Sequence, residues 1–254
     1  MSRTVIVTGR GGTGKSTFAA LATRCLPSAP LLIDADPDES LAQLLGVDLA
    51  QEGVNTISDA LQKVQKRDGD AELDAMSLPE KIDYLLNVSC LYESDRFDLL
   101  TLGVKWTRGC YCAPNGILQS VIPELAKNYA FTIVDSPAGL EHVNRRIVNN
   151  VDDIFVLLDP STKALRNARL VSEIAGSIGM TYRNLYLVGN CRFTDAAEAR
   201  VLALDGASYL GRVERDEAVE QFDWQGRSLL DLPADSAAAR SVADIMRKAG
   251  YPPP

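Results

Sequence analysis

One lysine, one serine and four glycines within eight residues carry the strongest chemical signal in this chain. Gly9-Arg10-Gly11-Gly12-Thr13-Gly14-Lys15-Ser16 has the spacing G-x-x-x-x-G-K-[ST]. Glycines let a backbone curl until successive N–H groups converge on phosphate oxygens. A helix that starts at once behind the loop adds its positive end. Lys15 then supplies a mobile cation for the β and γ oxygens, Ser16 a hydroxyl for Mg²⁺, and Thr17 a contact to a nearer phosphate. Gly11, Gly12, Thr13, Gly14, Lys15, Ser16 and Thr17 are therefore the expected cofactor-binding set, with ATP and Mg²⁺ as ligands.

Two carboxylate clusters lie where they can complete such a site. One is Asp34-Ala35-Asp36-Pro37-Asp38, and the other is Asp135-Ser136-Pro137-Ala138-Gly139. Each follows an apolar run that reads as a parallel strand, and ligands of open parallel sheets sit at the carboxyl ends of strands. Asp135 is assigned to the Mg²⁺ shell and Asp36 to the attacking water. Asp34 and Asp38 read more simply as structural, one of them capping the next helix. The run Leu185–Gly189 leads into Asn190-Cys191-Arg192-Phe193, with no Asp placed to accept from guanine. Asn190 can pair with adenine through one donor and one acceptor, so ATP is favoured over GTP.

These residues need a scaffold, and the pattern supplies one. Strands are predicted over Thr4–Thr8, Pro30–Asp34, Asp98–Leu102, Phe131–Asp135, Asp153–Leu158, Leu185–Gly189 and Ala207–Arg212. Helices are predicted over Lys15–Cys25, Ile117–Lys127, Lys163–Ile178, Ala196–Leu204 and Ser236–Ala249. Most strands are continuous apolar runs, as expected when both faces are covered. The expected fold is α/β: a P-loop NTPase with a mostly parallel sheet of about seven strands and helices on both faces. It reads as a single domain over 1–254, with a helical, polar insertion around 51–97 that holds no strand and includes a charge-dense, solvated stretch at Lys63–Asp74.

The chain has 254 residues, 46% of them hydrophobic, with 26 Lys and Arg against 34 Asp and Glu and a net charge of −8. That balance argues against a nucleic-acid surface and against anionic membranes. The start of the chain lacks a signal-peptide core, and a cytoplasmic protein is expected. Five cysteines suggest no disulfide framework. Cys25, Cys90 and Cys191 read as structural, whereas Cys110-Tyr111-Cys112 places two thiols one residue apart. Two such loops across a two-fold axis would offer four thiolates, a set that suits tetrahedral Zn²⁺ or square-planar Ni²⁺. Lys105 and Arg108 stand near enough in sequence to lower the thiol pKa values.

The opening Gly9-Arg10-Gly11-Gly12 resembles the deviant phosphate loop of the MinD/ParA/nitrogenase iron protein class, K-G-G-x-x-G-K-[ST]. In that class the first lysine reaches across a dimer to the partner's nucleotide. Arg10 stands at its position, and the resemblance implies a catalytic role for Arg10 beside Lys15 and Asp36, in a nucleotide-dependent homodimer. Asp34–Asp38 and Asp135–His142 are similar to the two switch segments of the class. The Ala138-Gly139-Leu140-Glu141-His142 ending, Leu158-Asp159-Pro160-Ser161 and Cys110-Tyr111-Cys112 resemble the CooC-type nickel-handling ATPases of carbon monoxide dehydrogenase maturation. That resemblance implies an ATP-hydrolysing metallochaperone. Cys110 and Cys112 would bind Ni²⁺ (or Zn²⁺), and the client would be a metalloenzyme such as carbon monoxide dehydrogenase. His142 reads as a local hydrogen-bonding residue, with a relay role as the alternative. Two other functions stay open: a MinD/ParA-like positioning or partitioning ATPase and, less favoured, an iron–sulphur reductase like the nitrogenase iron protein.

Overall fold

The first strand, β1 (Arg3–Gly9), runs through the middle of the sheet, with β5 (Phe131–Asp135) on one side and β6 (Asn150–Leu158) on the other. The computed structural model describes residues 2–66, 76, 78–103, 123–138, 150–177, 179–203 and 208–253. The remaining strands are β2 (Leu31–Asp34), β3 (Leu91–Tyr92), β4 (Asp98–Thr101), β7 (Thr181–Gly189) and β8 (Ser208–Arg212). Their order across the sheet is β3-β4-β2-β5-β1-β6-β7-β8, parallel throughout except for the β3·β4 pair. The α/β expectation holds, with eight strands among the described residues rather than about seven.

Alternate residues of each central strand feed opposite faces. Val5 and Val7 of β1 and Phe155 and Leu157 of β6 enter one core cluster, while Ile6, Ile154, Val156 and Leu158 enter the other. This explains the unbroken apolar runs: no strand residue in the middle of the sheet faces water. One face is covered by helices α1 (Lys15–Thr23), α2 (Ser40–Leu44), α7 (Glu217–Trp224) and α8 (Ala237–Lys248). The Phe18 ring of α1 packs on Phe155 with centroids 5.3 Å apart. The other face carries α3 (Ile57–Lys66), α4 (Leu78–Leu85), α5 (Thr162–Ser177) and α6 (Asp195–Leu202).

Three expectations need correction. The stretch 51–97 does hold a strand, β3, whose Leu91 and Tyr92 pair with Leu100 and Leu99. Two residues are too few for periodicity to register. The same stretch is not only polar surface: Ile57, Ala60, Leu85, Leu86 and Cys90 are buried in the core. Helices α2 and α7 fell outside the predicted set because each is short and α2 has no side-chain cap. The predicted helix Ile117–Lys127 lies mostly outside the described residues, and its described end is a helical turn that closes in a 3-10 turn at Ala126–Asn128.

Candidate nucleotide site

The loop between β1 and α1 owes its path to backbone that only glycine adopts cheaply. Gly12 and Gly14 have φ values of 71° and 85°. At Gly9, with φ of 150°, an added Cβ would lie 2.6 Å from the Leu157 carbonyl oxygen of β6. We expect Gly9→Ala to cost about 2 kcal/mol or more in stability, read as a lowered urea midpoint, because neither backbone segment can withdraw without breaking the β1·β6 ladder. Gly14 precedes α1 without any side-chain cap, and the first turn of α1 contains no acidic residue. The N–H groups at this helix end are thus left for an anion.

Lys15 is 6% exposed, and its Nζ donates to the Arg10 carbonyl oxygen at 3.5 Å. Thr13 Oγ1 donates to the same carbonyl at 2.8 Å, which braces the loop from within. A cleft of about 350 Å³ opens over this end of α1, and its lining includes Gly11, Gly14, Lys15, Ser16, Asp36 and Asp38.

The acidic wall is built by register. Asp34 of β2 pairs with Asp135 of β5, so both strands deliver a carboxylate at the same carboxyl edge. Asp34 is fully buried; its Oδ1 accepts from Asp36 N–H and its Oδ2 from Leu41 N–H, both at 3.0 Å. It thereby holds the loop that carries Asp36 and anchors the start of α2, in keeping with its structural reading. Burial first, then the Asp135 carboxylate, push the Asp34 carboxyl well above the usual range, against the pull of those two backbone N–H groups. Asp36 Oδ1 accepts from the Asp38 backbone N–H at 3.2 Å. Glu39 closes this turn with φ of 53°, the only left-handed backbone among the described residues other than glycine.

Asp135 is also fully buried, and among the described residues neither of its carboxyl oxygens has a hydrogen-bond partner at normal distance. Burial pushes it up to about 7, opposed by the neighbouring Ser16 hydroxyl and Lys15 ammonium. A buried carboxylate with both oxygens unpaired, close to a hydroxyl, is a donor set of hard oxygens that fits Mg²⁺.

A second cleft, of about 640 Å³, adjoins the first and shares Gly12, Gly14 and Thr17 with it. Its outer wall includes Asn190, Cys191, Glu214, Arg215 and Asp216. Asn190 is 4% exposed, and its Oδ1 accepts from the Arg192 N–H, so one acceptor site is already used within the chain. Val213–Asp216 escaped sequence reasoning. The available signal was their position directly after β8, on the ligand-bearing edge of the sheet. Asp216 also caps α7 and accepts from Ser236 Oγ at 2.5 Å, which ties this wall to α8.

Cys25 and Cys90 are buried, and burial pushes both thiols up to about 11, in keeping with structural roles. Cys191 differs from expectation: it is exposed and lines the second cleft, because the turn after β7 directs it outward. Cys110, Cys112 and His142 lie outside the described residues. Among the described residues no group of three or more His, Cys, Asp or Glu side chains could hold a metal ion.

No protein-family model matches this chain. Over 252 residues, 96% of the chain, it is 32% identical to an uncharacterised ATP-binding protein of Methanocaldococcus jannaschii, covering 97% of that protein. The chain belongs to the MinD/ParA class of ATP-binding proteins. As a member of this class it is an ATPase that uses ATP and Mg²⁺. It is 26% identical over 255 residues to the carbon monoxide dehydrogenase accessory protein CooC of Rhodospirillum rubrum, spanning 96% of this chain and 95% of that one. It is 26% identical over 259 residues to the septum site-determining protein MinD of Buchnera aphidicola, spanning 95% and 89%. The MinD/ParA fold is also seen in solved structures. MinD of Pyrococcus horikoshii complexed with Mg-ADP superposes with a TM-score of 0.68 at 19% identity, covering 98% of this chain and 96% of that one. A plasmid partition protein of Borrelia burgdorferi bound to AMPPNP gives 0.69 at 13% identity, covering 98% and 100%.

Proposed function

We propose that this ATPase is a nucleotide-gated homodimer that carries a soft transition metal, nickel in the first instance, and delivers it to a client metalloenzyme such as carbon monoxide dehydrogenase. The observation that carries the reading is the edge at which β4 ends. Thr101 pairs with Asp34 at the carboxyl edge of the sheet, so the last described residues before Cys110 and Cys112 in the sequence stand at the same edge as the nucleotide clefts. The similarity to CooC over most of both chains supports the same reading. The whole chain then acts as one P-loop domain, with 51–97 an elaboration of it.

In this reading the phosphates of ATP lie along Gly11–Ser16, and the base enters the cleft walled by Asn190 and Asp216. Ser16 and Asp135 would hold Mg²⁺, which would supply positive charge to neutralise the β and γ oxygens. Lys15 stabilises the charge that develops as the γ-phosphoryl leaves, and Asp36 orients water for in-line attack. Arg10 reaches the nucleotide of the second copy. Closure brings two Cys110/Cys112 pairs together around the cargo metal, and hydrolysis releases the switches and opens the pair.

The position of Asp135 predicts a pH dependence. Since its carboxyl is held up to about 7, a proton competes with Mg²⁺ below that value. Mg²⁺ should bind about tenfold more weakly at pH 6 than at pH 8, and Asp135→Asn should abolish both the binding and its slope. The raised value also means that charging Asp135 opposes folding. That cost is absent below the unfolded carboxylate range and complete above pH 7, so metal-free Asp135→Asn protein should melt higher than the natural sequence at pH 8.

The decisive experiment is anaerobic titration of the whole protein with Ni²⁺ and Zn²⁺, with and without ATP and Mg²⁺, following metal content and molecular mass together. One metal per dimer, tightened by nucleotide and lost in Cys110→Ser/Cys112→Ser, is the expected result. Nucleotide-driven dimers with no cysteine-dependent metal would refute metal delivery and favour a positioning role. A membrane-bound version of that role finds little support in α8, whose bulky Val242, Ile245 and Met246 are buried in the core rather than presented outward. No helix among the described residues is long and apolar enough to cross a membrane.

A further inference from the structure

Arg10 belongs to the phosphate loop, yet it lines neither nucleotide cleft. Its Nη1 donates instead to Asp159 Oδ2 at 3.0 Å and to Ser161 Oγ at 3.1 Å. Asp159 is itself fixed: its Oδ1 accepts from the Ser161 N–H at 2.9 Å. Ser161 Oγ accepts from the Ala164 N–H at the start of α5, and Pro160 between them restricts the backbone. The platform is therefore rigid and sits directly beyond β6, the strand against which Gly9 packs.

Charge reinforces the geometry. Partial burial raises the Asp159 carboxyl, but the Ser161 hydroxyl and N–H and the guanidiniums of Arg10 and Arg192 outweigh it and leave the group below its usual range. Arg192 Nη2 in turn donates to the Gly12 carbonyl at 3.3 Å, so one anion stands near two arginines that flank the phosphate loop. Both bonds from Arg10 use a single nitrogen. Among the described residues no hydrogen bond or ion pair uses its Nη2 or Nε, and the side chain is 38% exposed. A planar fork can be anchored at one tip and still offer two donors, which a lysine ammonium cannot do in the same geometry.

We propose that Asp159 and Ser161 are positioning residues for Arg10, holding its guanidinium clear of its own nucleotide and presenting the free side of the fork to the ATP of a second copy. This rests on the reading of Arg10 as a group that acts across the dimer. An unanchored arginine samples many rotamers and is drawn toward the nearest phosphates, those of its own chain. Anchoring removes that search before the two copies meet.

The test is steady-state ATP hydrolysis by the full chain at protein concentrations above self-association, together with binding of a fluorescent ATP analogue at concentrations below it. Arg10→Ala should lower kcat by about a hundredfold or more. Asp159→Asn should lower kcat by about tenfold, leave nucleotide affinity of the separated chains unchanged, and be largely restored in Asp159→Glu. Ser161→Ala should shift kcat in the same direction by less, and it guards against a folding defect at position 159. Adding Asp159→Asn to Arg10→Ala should have no further effect. Full kcat in Asp159→Asn beside a crippled Arg10→Ala would overturn the positioning role alone. Full kcat in Arg10→Ala would instead overturn the reading beneath it. A loss from Asp159→Asn that persists undiminished in the Arg10→Ala background would show a structural role and overturn the proposal.

Discussion

Replacing Lys15 by alanine lowers kcat/KM for ATP hydrolysis about a thousandfold, equivalent to some 4 kcal/mol of transition-state stabilisation. The size follows from where the ammonium stands. Lys15 opens α1, is 6% exposed, and lines the smaller cleft with Asp36 while donating weakly to the Arg10 carbonyl. A cation in so dry a setting acts on phosphate charge at low effective dielectric, where each interaction counts for more than in water. The loss is chiefly functional: Lys15 makes one long hydrogen bond to the Arg10 carbonyl, and without its ammonium the Asp135 carboxyl, already raised to about 7, takes up a proton more readily. The melting temperature of the nucleotide-free variant should therefore not fall at pH 6, where Asp135 is protonated. Asp36→Asn gives the contrasting signature: kcat drops by about a hundredfold while ATP affinity is retained, as expected for a group that acts on the attacking water. Stopped-flow binding beside steady-state hydrolysis separates the two. Equal losses of affinity in both variants would contradict the division of roles.

The largest effect on stability is expected at the opposite edge of the sheet. Asp153→Ala should destabilise the protein by about 3–5 kcal/mol, the cost of breaking a buried ion pair from one side. Asp153 is fully buried in β6. Its Oδ2 accepts from Arg3 Nε at 2.7 Å and from the Tyr251 hydroxyl at 2.5 Å, and its Oδ1 from Asn184 Nδ2 at 2.7 Å. Arg3 also lies 3.7 Å over the Tyr251 ring and donates to the Ala249 and Gly250 carbonyls at the end of α8. One carboxylate thus joins β1, β6, β7 and the segment that follows the last helix. Its removal leaves Arg3 without its anion and frees the C-terminal segment. Urea unfolding should show the loss, and hydrogen exchange should show α8 opening ahead of the sheet. The natural midpoint in Asp153→Ala would refute the account.

The phosphate loop, the strand ahead of it and the helix behind it were legible in the sequence, because glycine spacing and apolar runs act on the local backbone. The parallel sheet was legible for a related reason: strands covered on both faces have no room for alternating polar residues. Asp36 and Asp135 could be placed at the right edge because Asp135 ends such a run and Asp36 lies two residues beyond the end of another. The tertiary structure decided what each side chain meets there. Arg10 finds Asp159 at a separation of 149 residues because β1 and β6 are neighbours, an adjacency that no local pattern encodes. Among the described residues Asp135 is left without a close hydrogen-bond partner, flanked by β1 and β2 on both sides. The same sheet order carries the loop after β8 to the second cleft and turns Cys191 outward, against its expected burial. Local backbone preference is a property of a few consecutive residues, and the sequence expresses it directly. Burial and pairing depend on which strand ends become neighbours, and that is fixed only when the whole sheet assembles.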